Sequence, residues 1–161
     1  MAMEELYDRY HKTLRQDQTI TESLALLTKY AQSLSRQMLA MDMDHLCSVC
    51  ASHDRGGCCS SYMEANSDVI LLLINRLQGV PVCRQHEQDE ECCFLGHSGC
   101  ILPLKPIFCL NYNCRHIHDQ SSKAAVGRLE HLAGKLLTEQ TRLETLVLQK
   151  IKHSDQSAGP L

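Results

Sequence analysis

A chain of 161 residues fits one domain with helical extensions, and its 43% of apolar residues are enough to form a core. Aromatic residues make up only 4% and Trp is absent, which argues against a large aromatic core. The net charge of −3 and the pI of about 6.3 give no electrostatic reason to expect binding to a nucleic acid or an anionic membrane. We therefore expect neither partner.

Residues 1–18 contain no apolar run of the kind that a secretory signal needs. The longest apolar run, residues 69–74, is far shorter than the roughly 20 residues with which a helix spans a bilayer. These two features predict a cytoplasmic protein.

The first part of the chain, residues 1–44, is predicted to be a helical scaffold. Apolar residues at helical spacing indicate a first helix, and they are Met3, Leu6, Tyr7, Tyr10 and Leu14. Thr19 and Glu22 have the form of a capping box before a second, longer helix. The apolar stripe of that helix consists of Leu24, Leu27, Ala31, Leu34 and Met38. We expect this helix to end near Met43, just before the first cysteine.

Residues 45–120 lack apolar periodicity except in one short helix. Ser67 is its expected N-cap, and Gly79 is expected just after its last turn. All ten cysteines lie between positions 47 and 114. Because the cytosol keeps thiols reduced, cysteines at this density indicate metal or redox chemistry rather than a disulfide framework. Residues 45–120 are therefore predicted to form an irregular, Cys-rich chelating core.

A long helix is predicted over residues 121–153, where Leu129, Leu136 and Leu143 repeat by seven. About 30 helical residues would extend for roughly 45 Å, which is more than the cysteine core can cover. We expect this helix to pack on the N-terminal helices, on a second copy of itself, or on both. Through it the chain would form a homodimer or bind a protein partner. Residues 154–161 are predicted to be a frayed tail.

The fold class predicted from these elements is mainly α, in one compact domain. Long N- and C-terminal amphipathic helices pack around an irregular Cys-rich metal-binding core that contains one short central helix.

Thiolate is a soft, strong ligand for zinc and for iron–sulfur clusters. The pair Cys47-x-x-Cys50 alone is a weak signal, because thioredoxin-like redox motifs share it. The order of the later motifs makes the metal interpretation stronger. Two vicinal pairs, at 58–59 and 92–93, are followed by Cys100 and by Lys105-Pro106-x-x-Cys109.

This order of motifs, over residues 47–114, resembles the YkgJ-type cysteine-cluster family, which is described as zinc- or iron-chelating. Cys47, Cys50, Cys58 and Cys59 match its first motif, although seven residues separate Cys50 from Cys58 where the family usually has two. The later cysteines of the family motif correspond to Cys93, Cys100 and Cys109. The resemblance implies chelation and assigns no reaction.

With Cys114 as an eighth sulfur, the predicted metal ligands are Cys47, Cys50, Cys58, Cys59, Cys93, Cys100, Cys109 and Cys114. Eight sulfurs suffice for two tetrahedral zinc sites, or for one four-iron cluster with spare thiols. Cys92 is left unassigned, and Cys83 is expected to be a small buried hydrophobe. Lys105 could balance thiolate charge, and an apolar jacket around the site is expected from Phe94, Leu95, Phe108 and Tyr112.

The leading interpretation is a non-catalytic metal-binding protein that ligates zinc through thiolates and uses its helices for self-association or partner docking. The alternative is an iron–sulfur protein acting as an electron carrier or a redox enzyme component, because both metals use the same ligand type. A nucleic-acid-binding zinc module would need a basic face that this chain lacks. No phosphate loop, paired-carboxylate signature or Ser-His-Asp order assigns a catalytic residue.

Overall fold

The computed structural model describes residues 2–51, 58–85, 91–96 and 99–157. These ranges form the helices α1 (Ala2–Gln16), α2 (Gln18–Ala40), α3 (Met43–Ala51), α4 (Ser61–Glu64), α5 (Val69–Leu77), α6 (Ile107–Asn111), α7 (Arg115–Gln120) and α8 (Lys123–Ser157). They also form one antiparallel hairpin of two short strands, β1 (Leu95–Gly96) and β2 (Gly99–Cys100). The prediction of a mainly helical chain is confirmed.

The first two helices meet at Asp17, whose carboxylate accepts a hydrogen bond of 3.2 Å from the Ile20 N–H and caps α2. The capping box predicted at Thr19 and Glu22 is wrong, since both residues lie inside α2. Asp is a stronger N-cap than Thr, so the helix begins at the earlier of the two candidates.

Helix α2 ends at Ala40, and Asp42 then adopts a left-handed backbone with a φ of 54°. A new helix begins at once after this break. Met41 and Met43, on either side of Asp42, are both buried and hold this part of the chain in the core. The predicted end near Met43 is therefore wrong. The Cys47-x-x-Cys50 motif lies on helix α3 rather than in an irregular turn.

The short central helix is confirmed as α5, with a cap one residue later than predicted. The Asp68 carboxylate accepts hydrogen bonds from the N–H groups of Ile70 and Leu71, at 2.9 and 2.8 Å. Gly79 follows the helix with a φ of 84°, in the left-handed conformation that favours glycine after a last turn.

Helix α8 is the longest element and packs antiparallel along α2. Side-chain contacts run in opposite directions along the two helices, joining Asp17 to Lys150, Ser23 to Glu139 and Gln37 to Ala125. The apolar face of α8 is buried at Leu129, Leu136, Leu143 and Val147. The prediction that this helix packs on the N-terminal helices is confirmed.

The tail predicted to fray from residue 154 is instead helical as far as Ser157. Asp155 accepts hydrogen bonds from Arg9, at 2.9 Å, and from the buried hydroxyl of Tyr10 on α1. These tertiary contacts hold the last turns, and apolar periodicity carries no signal of them. Residues 158–161 lie outside the described ranges. Within those ranges no helix has both the length and the hydropathy of a membrane span.

Candidate metal centre

Two backbone contacts bring the two vicinal cysteine pairs together. Ser60 and Glu91 form an antiparallel bridge, and the Cys92 N–H donates a hydrogen bond of 3.2 Å to the Cys59 carbonyl. The pair at 58–59 therefore lies beside the pair at 92–93, although helix α5 separates them in the sequence.

The hairpin places Cys100 in the same region. Leu95 on β1 pairs with Cys100 on β2, and the Ile101 N–H donates to the Phe94 carbonyl at 2.9 Å. Helix α3, which carries Cys47, packs against β2. Cysteines from α3, the 58–59 segment and the hairpin thus approach one another from separate parts of the chain.

The sulfurs of Cys58 and Cys59 are linked by a hydrogen bond in which the Cys59 thiol donates. This bond, with the two backbone N–H groups of the pair, lowers the pKa of Cys58 to about 6. The same bond raises the pKa of Cys59, and burial and the charges of Cys58, Cys47 and Cys100 raise it further. Near neutral pH, the pair therefore consists of one thiolate and one thiol.

Cys92 and Cys109 respond to the same group of sulfurs. Burial raises the pKa of Cys92 first, and the charge of Cys100 adds to it. Burial raises the pKa of Cys109 to about 11, with further contributions from the charges of Cys100, Cys92 and Cys58, whereas Lys105 acts in the opposite direction. Charges influence one another over about 10 Å at moderate ionic strength, so these mutual effects define a common region.

We call this group the thiol cluster, and its members are Cys47, Cys58, Cys59, Cys92, Cys100 and Cys109. No disulfide joins the cysteines of the described residues. As they are placed, no three His, Cys, Asp or Glu side chains of the described residues form a group that could hold a metal ion. The cluster is therefore a gathering of thiols within electrostatic range, without coordination geometry.

Cys93, predicted as a ligand, is engaged elsewhere. Its side chain is buried with Phe94 and Leu102 in a small apolar cluster. Burial and a hydrogen bond from its thiol to the Glu64 carboxylate raise its pKa to about 12. Its neighbour Cys92, left unassigned by the sequence, is the member of the pair that interacts with Cys100 and Cys109. The pair lies at the start of a turn that the Leu95 N–H closes on the Cys92 carbonyl at 2.9 Å, and the sequence carries no signal that the pair would divide.

Another predicted ligand, Cys114, lies outside the thiol cluster, because it is the N-cap residue of α7 and packs against the main apolar core. The prediction for Cys50 lies outside the described residues, since only the backbone of that residue is described.

The surroundings of the cluster differ in part from the prediction. Phe94 is buried, as expected of an apolar jacket, but Phe108 and Tyr112 are 59% and 61% exposed. Cys83, expected to be a buried hydrophobe, is exposed, and its sulfur accepts a hydrogen bond from the Gln85 amide. The short helix α6 thus turns its aromatic side chain outward rather than over the thiols.

The segment between Cys100 and Cys109 is held by two side-chain amides. Asn75 on α5 pairs with the Leu104 backbone, donating to its carbonyl at 2.9 Å and accepting from its N–H at 3.1 Å. Gln140 on α8 donates to the Lys105 carbonyl at 3.2 Å. These contacts connect the helical scaffold directly to the part of the chain that carries two of the clustered thiols.

The histidines near the cysteine motifs are placed as follows. His45, His116 and His118 are exposed, and His53 and His97 lie outside the described residues.

Comparisons of the chain with models of protein families, with curated proteins and with solved structures give no match. The resemblance to the YkgJ-type family stays a prediction from the order of the cysteine motifs.

Proposed function

We propose that this chain is a thiolate metal-binding protein whose thiol cluster binds zinc, and that it is non-catalytic. The observation that supports this most is that four separate segments of the chain bring their cysteines within electrostatic range, so that the charges of Cys47, Cys58, Cys92 and Cys100 raise the pKa of Cys59, Cys92 or Cys109. Thiolates are preferred ligands of structural zinc sites, which are closed and tetrahedral. The motif order that resembles the YkgJ-type family supports the same conclusion.

The protonation states of the clustered cysteines favour a mode of zinc binding in which the ion first contacts a single thiolate. Cys58 carries the negative charge at neutral pH, because its pKa is lowered to about 6. Cys59, Cys92 and Cys109 have raised pKa values and remain thiols without a metal. A cation bound to the cluster would displace their protons, so binding should release protons and strengthen with rising pH. Lys105 would offset part of the negative charge beside Cys109.

Binding of zinc would also stabilise the fold. Because the thiols of the described residues are gathered without coordination geometry, a metal must draw them closer together. Its binding free energy would then connect α3, the 58–59 segment, the hairpin and α6. The N-terminal helices and α8 act as the scaffold for these segments, and the outer surface of α8 is proposed to receive a second copy or a partner protein.

An iron–sulfur protein is the second candidate. It would use the same type of ligand, because thiolates hold both zinc and iron–sulfur clusters. A four-iron cluster would use four of the six thiols. Its function would be electron transfer or a redox step in a larger enzyme.

Anaerobic purification, followed by elemental analysis and an optical spectrum, distinguishes the candidates. A colourless protein with about one zinc ion per chain is expected, because a closed tetrahedral site uses four of the six thiols. A brown protein whose visible absorption bleaches with dithionite would instead support the iron–sulfur candidate. Protein that retains neither metal would contradict both proposals.

A further inference from the structure

Glu64, on the short helix α4, forms hydrogen bonds with Cys93, one member of the vicinal pair at 92–93. Its carboxylate accepts a hydrogen bond of 2.9 Å from the Cys93 N–H and a second from the Cys93 thiol. Arg84 lies 3.7 Å from the same carboxylate and completes an ion pair on its outer side. The Cys93 carbonyl accepts from the Gln85 N–H at 2.8 Å, so the backbone of Cys93 is held on both sides.

The side chain of Cys93 is held as firmly as its backbone. It is 2% exposed and packs with Phe94 and Leu102, which are themselves buried. A thiol in this position has an apolar environment on one side and a carboxylate acceptor on the other. A cation would have to break both arrangements in order to reach its sulfur.

Cys92 is half-buried and packs against the edge of the same apolar cluster as Cys93. Its N–H donates to the Cys59 carbonyl at 3.2 Å, which places it beside the 58–59 pair, and the charge of Cys100 acts on it. Cys93 is therefore the fully buried member of the pair and is bound to the Glu64 carboxylate through its N–H, whereas Cys92 is the member next to the other thiols.

We propose that Glu64 is a positioning residue for the metal centre. By holding Cys93 in the apolar cluster, it turns Cys92 toward the other thiols and makes Cys92 the ligand of the pair. This inference rests on the proposed function, and it assigns a ligand that the order of motifs does not, since that order points to Cys93.

The test compares the zinc affinities of Cys92→Ser and Cys93→Ser, measured by competition with a chromogenic chelator. Loss of a ligand is expected to weaken zinc binding by about tenfold or more in Cys92→Ser, whereas Cys93→Ser should stay within about twofold of the parent chain. In a Glu64→Ala background this difference should shrink, because Cys93 becomes free to replace Cys92. Glu64→Gln, which keeps an acceptor for the Cys93 N–H, should preserve the difference.

If Glu64 only stabilised the fold, Glu64→Ala would weaken zinc binding to Cys92→Ser and to Cys93→Ser by the same factor. The ratio of the two zinc affinities would then stay unchanged. An unchanged ratio in Glu64→Ala, or equal losses in the two serine variants of the parent chain, would overturn the inference while leaving metal binding intact. Absence of bound zinc from every variant, including the parent chain, would instead overturn the proposed function and the ligand assignment with it.

A measurement without metal tests the positioning itself. In metal-free, reduced protein, alkylation by iodoacetamide followed by peptide mass spectrometry should modify Cys92 faster than Cys93. Glu64→Ala should raise the rate at Cys93 and leave the rate at the exposed Cys83 unchanged. Equal rates at Cys92 and Cys93 in the parent chain would contradict the proposed division of the pair. Circular dichroism of each variant confirms that the helices are retained.

Discussion

Asn75 provides the most direct test of how the scaffold holds the thiol-bearing segment. Its side chain is fully buried on α5 and makes three hydrogen bonds, donating to the carbonyls of Leu71 and Leu104 and accepting from the Leu104 N–H. Leu104 is also fully buried, so its backbone groups have no access to water. Replacing Asn75 with Ala therefore leaves both Leu104 groups buried and without the partners they have in the native chain.

Each buried polar group left without a partner costs about 1–3 kcal/mol of folding free energy. At about 1.5 kcal/mol for each of the two Leu104 groups, Asn75→Ala should lower the free energy of unfolding by about 3 kcal/mol. The bond to Leu71 adds little, because its carbonyl is already an acceptor within the helix. A loss of about 3 kcal/mol corresponds to a fall in Tm of roughly 6–12 °C for a chain of this size.

Urea unfolding of reduced, metal-free protein, followed by far-UV circular dichroism, measures this loss. Asn113→Ala is the matched control, since Asn113 is partly exposed and makes one hydrogen bond of 3.5 Å to Glu130. The control should change the free energy of unfolding by no more than about 0.5 kcal/mol. A loss below about 1 kcal/mol in Asn75→Ala, with the slope against urea unchanged, would refute the reasoning about the Leu104 backbone.

Three further predictions concern charge, reactivity and packing. Asp17→Asn should lower the free energy of unfolding by about 0.5 kcal/mol by removing the ion pair with Lys150. The hydrogen bond from Lys150 lowers the pKa of Asp17, so this contribution is present above the unfolded value of 3.8 and disappears as the pH falls through the folded pKa. Cys58, whose pKa is lowered by the hydrogen bond from Cys59, should be alkylated before Cys109, whose pKa is raised, in metal-free protein. Phe94→Ala should cost about 3 kcal/mol, whereas Phe108→Ala should cost no more than about 0.5 kcal/mol.

Each of these has an outcome that contradicts it. Urea titrations of the parent chain and of Asp17→Asn between pH 2 and 7 measure this difference in stability; a difference that stays the same at every pH would remove the role of Lys150. A pH profile of Cys58 alkylation with a midpoint near 9 would show that its sulfur is not stabilised as a thiolate. Equal losses for Phe94→Ala and Phe108→Ala would contradict the outward orientation of α6.

The long helices were predictable because each one buries a continuous apolar face. Leu14, Leu27, Leu34 and Leu136 all lie on predicted stripes and are all buried. The caps were harder to assign, since Thr19 and Ser67 each stand close to an Asp that is the actual cap. Propensity alone separates such neighbours by only a fraction of a kcal/mol, and the backbone geometry decides between them.

The short helices α3, α6 and α7 could not be predicted by the same argument. Cysteines interrupt any apolar period in α3 and α6, and α7 is only six residues long. The 103–106 segment before α6 is held by Asn75 and Gln140, and neither contact has a local sequence signal.

The division of the 92–93 pair is the clearest limit at the site itself. The motif order selects Cys93, but the burial of Cys93 and its bond to Glu64 direct Cys92 to the thiol cluster. Glu64 lies far from Cys93 in the sequence, on a helix of four residues whose existence the periodicity does not reveal. Density and spacing of cysteines therefore predict that thiols gather in this part of the chain, but not which sulfur of a vicinal pair takes part.

Zinc content per chain, in the parent protein and in a Cys59→Ser, Cys100→Ser double variant, tests the central claim most directly. Elemental analysis of anaerobically purified protein should find stoichiometric zinc in the parent chain and little in the double variant. A parent chain without zinc, or a double variant that retains the full amount, would contradict the assignment of the thiol cluster as the metal centre.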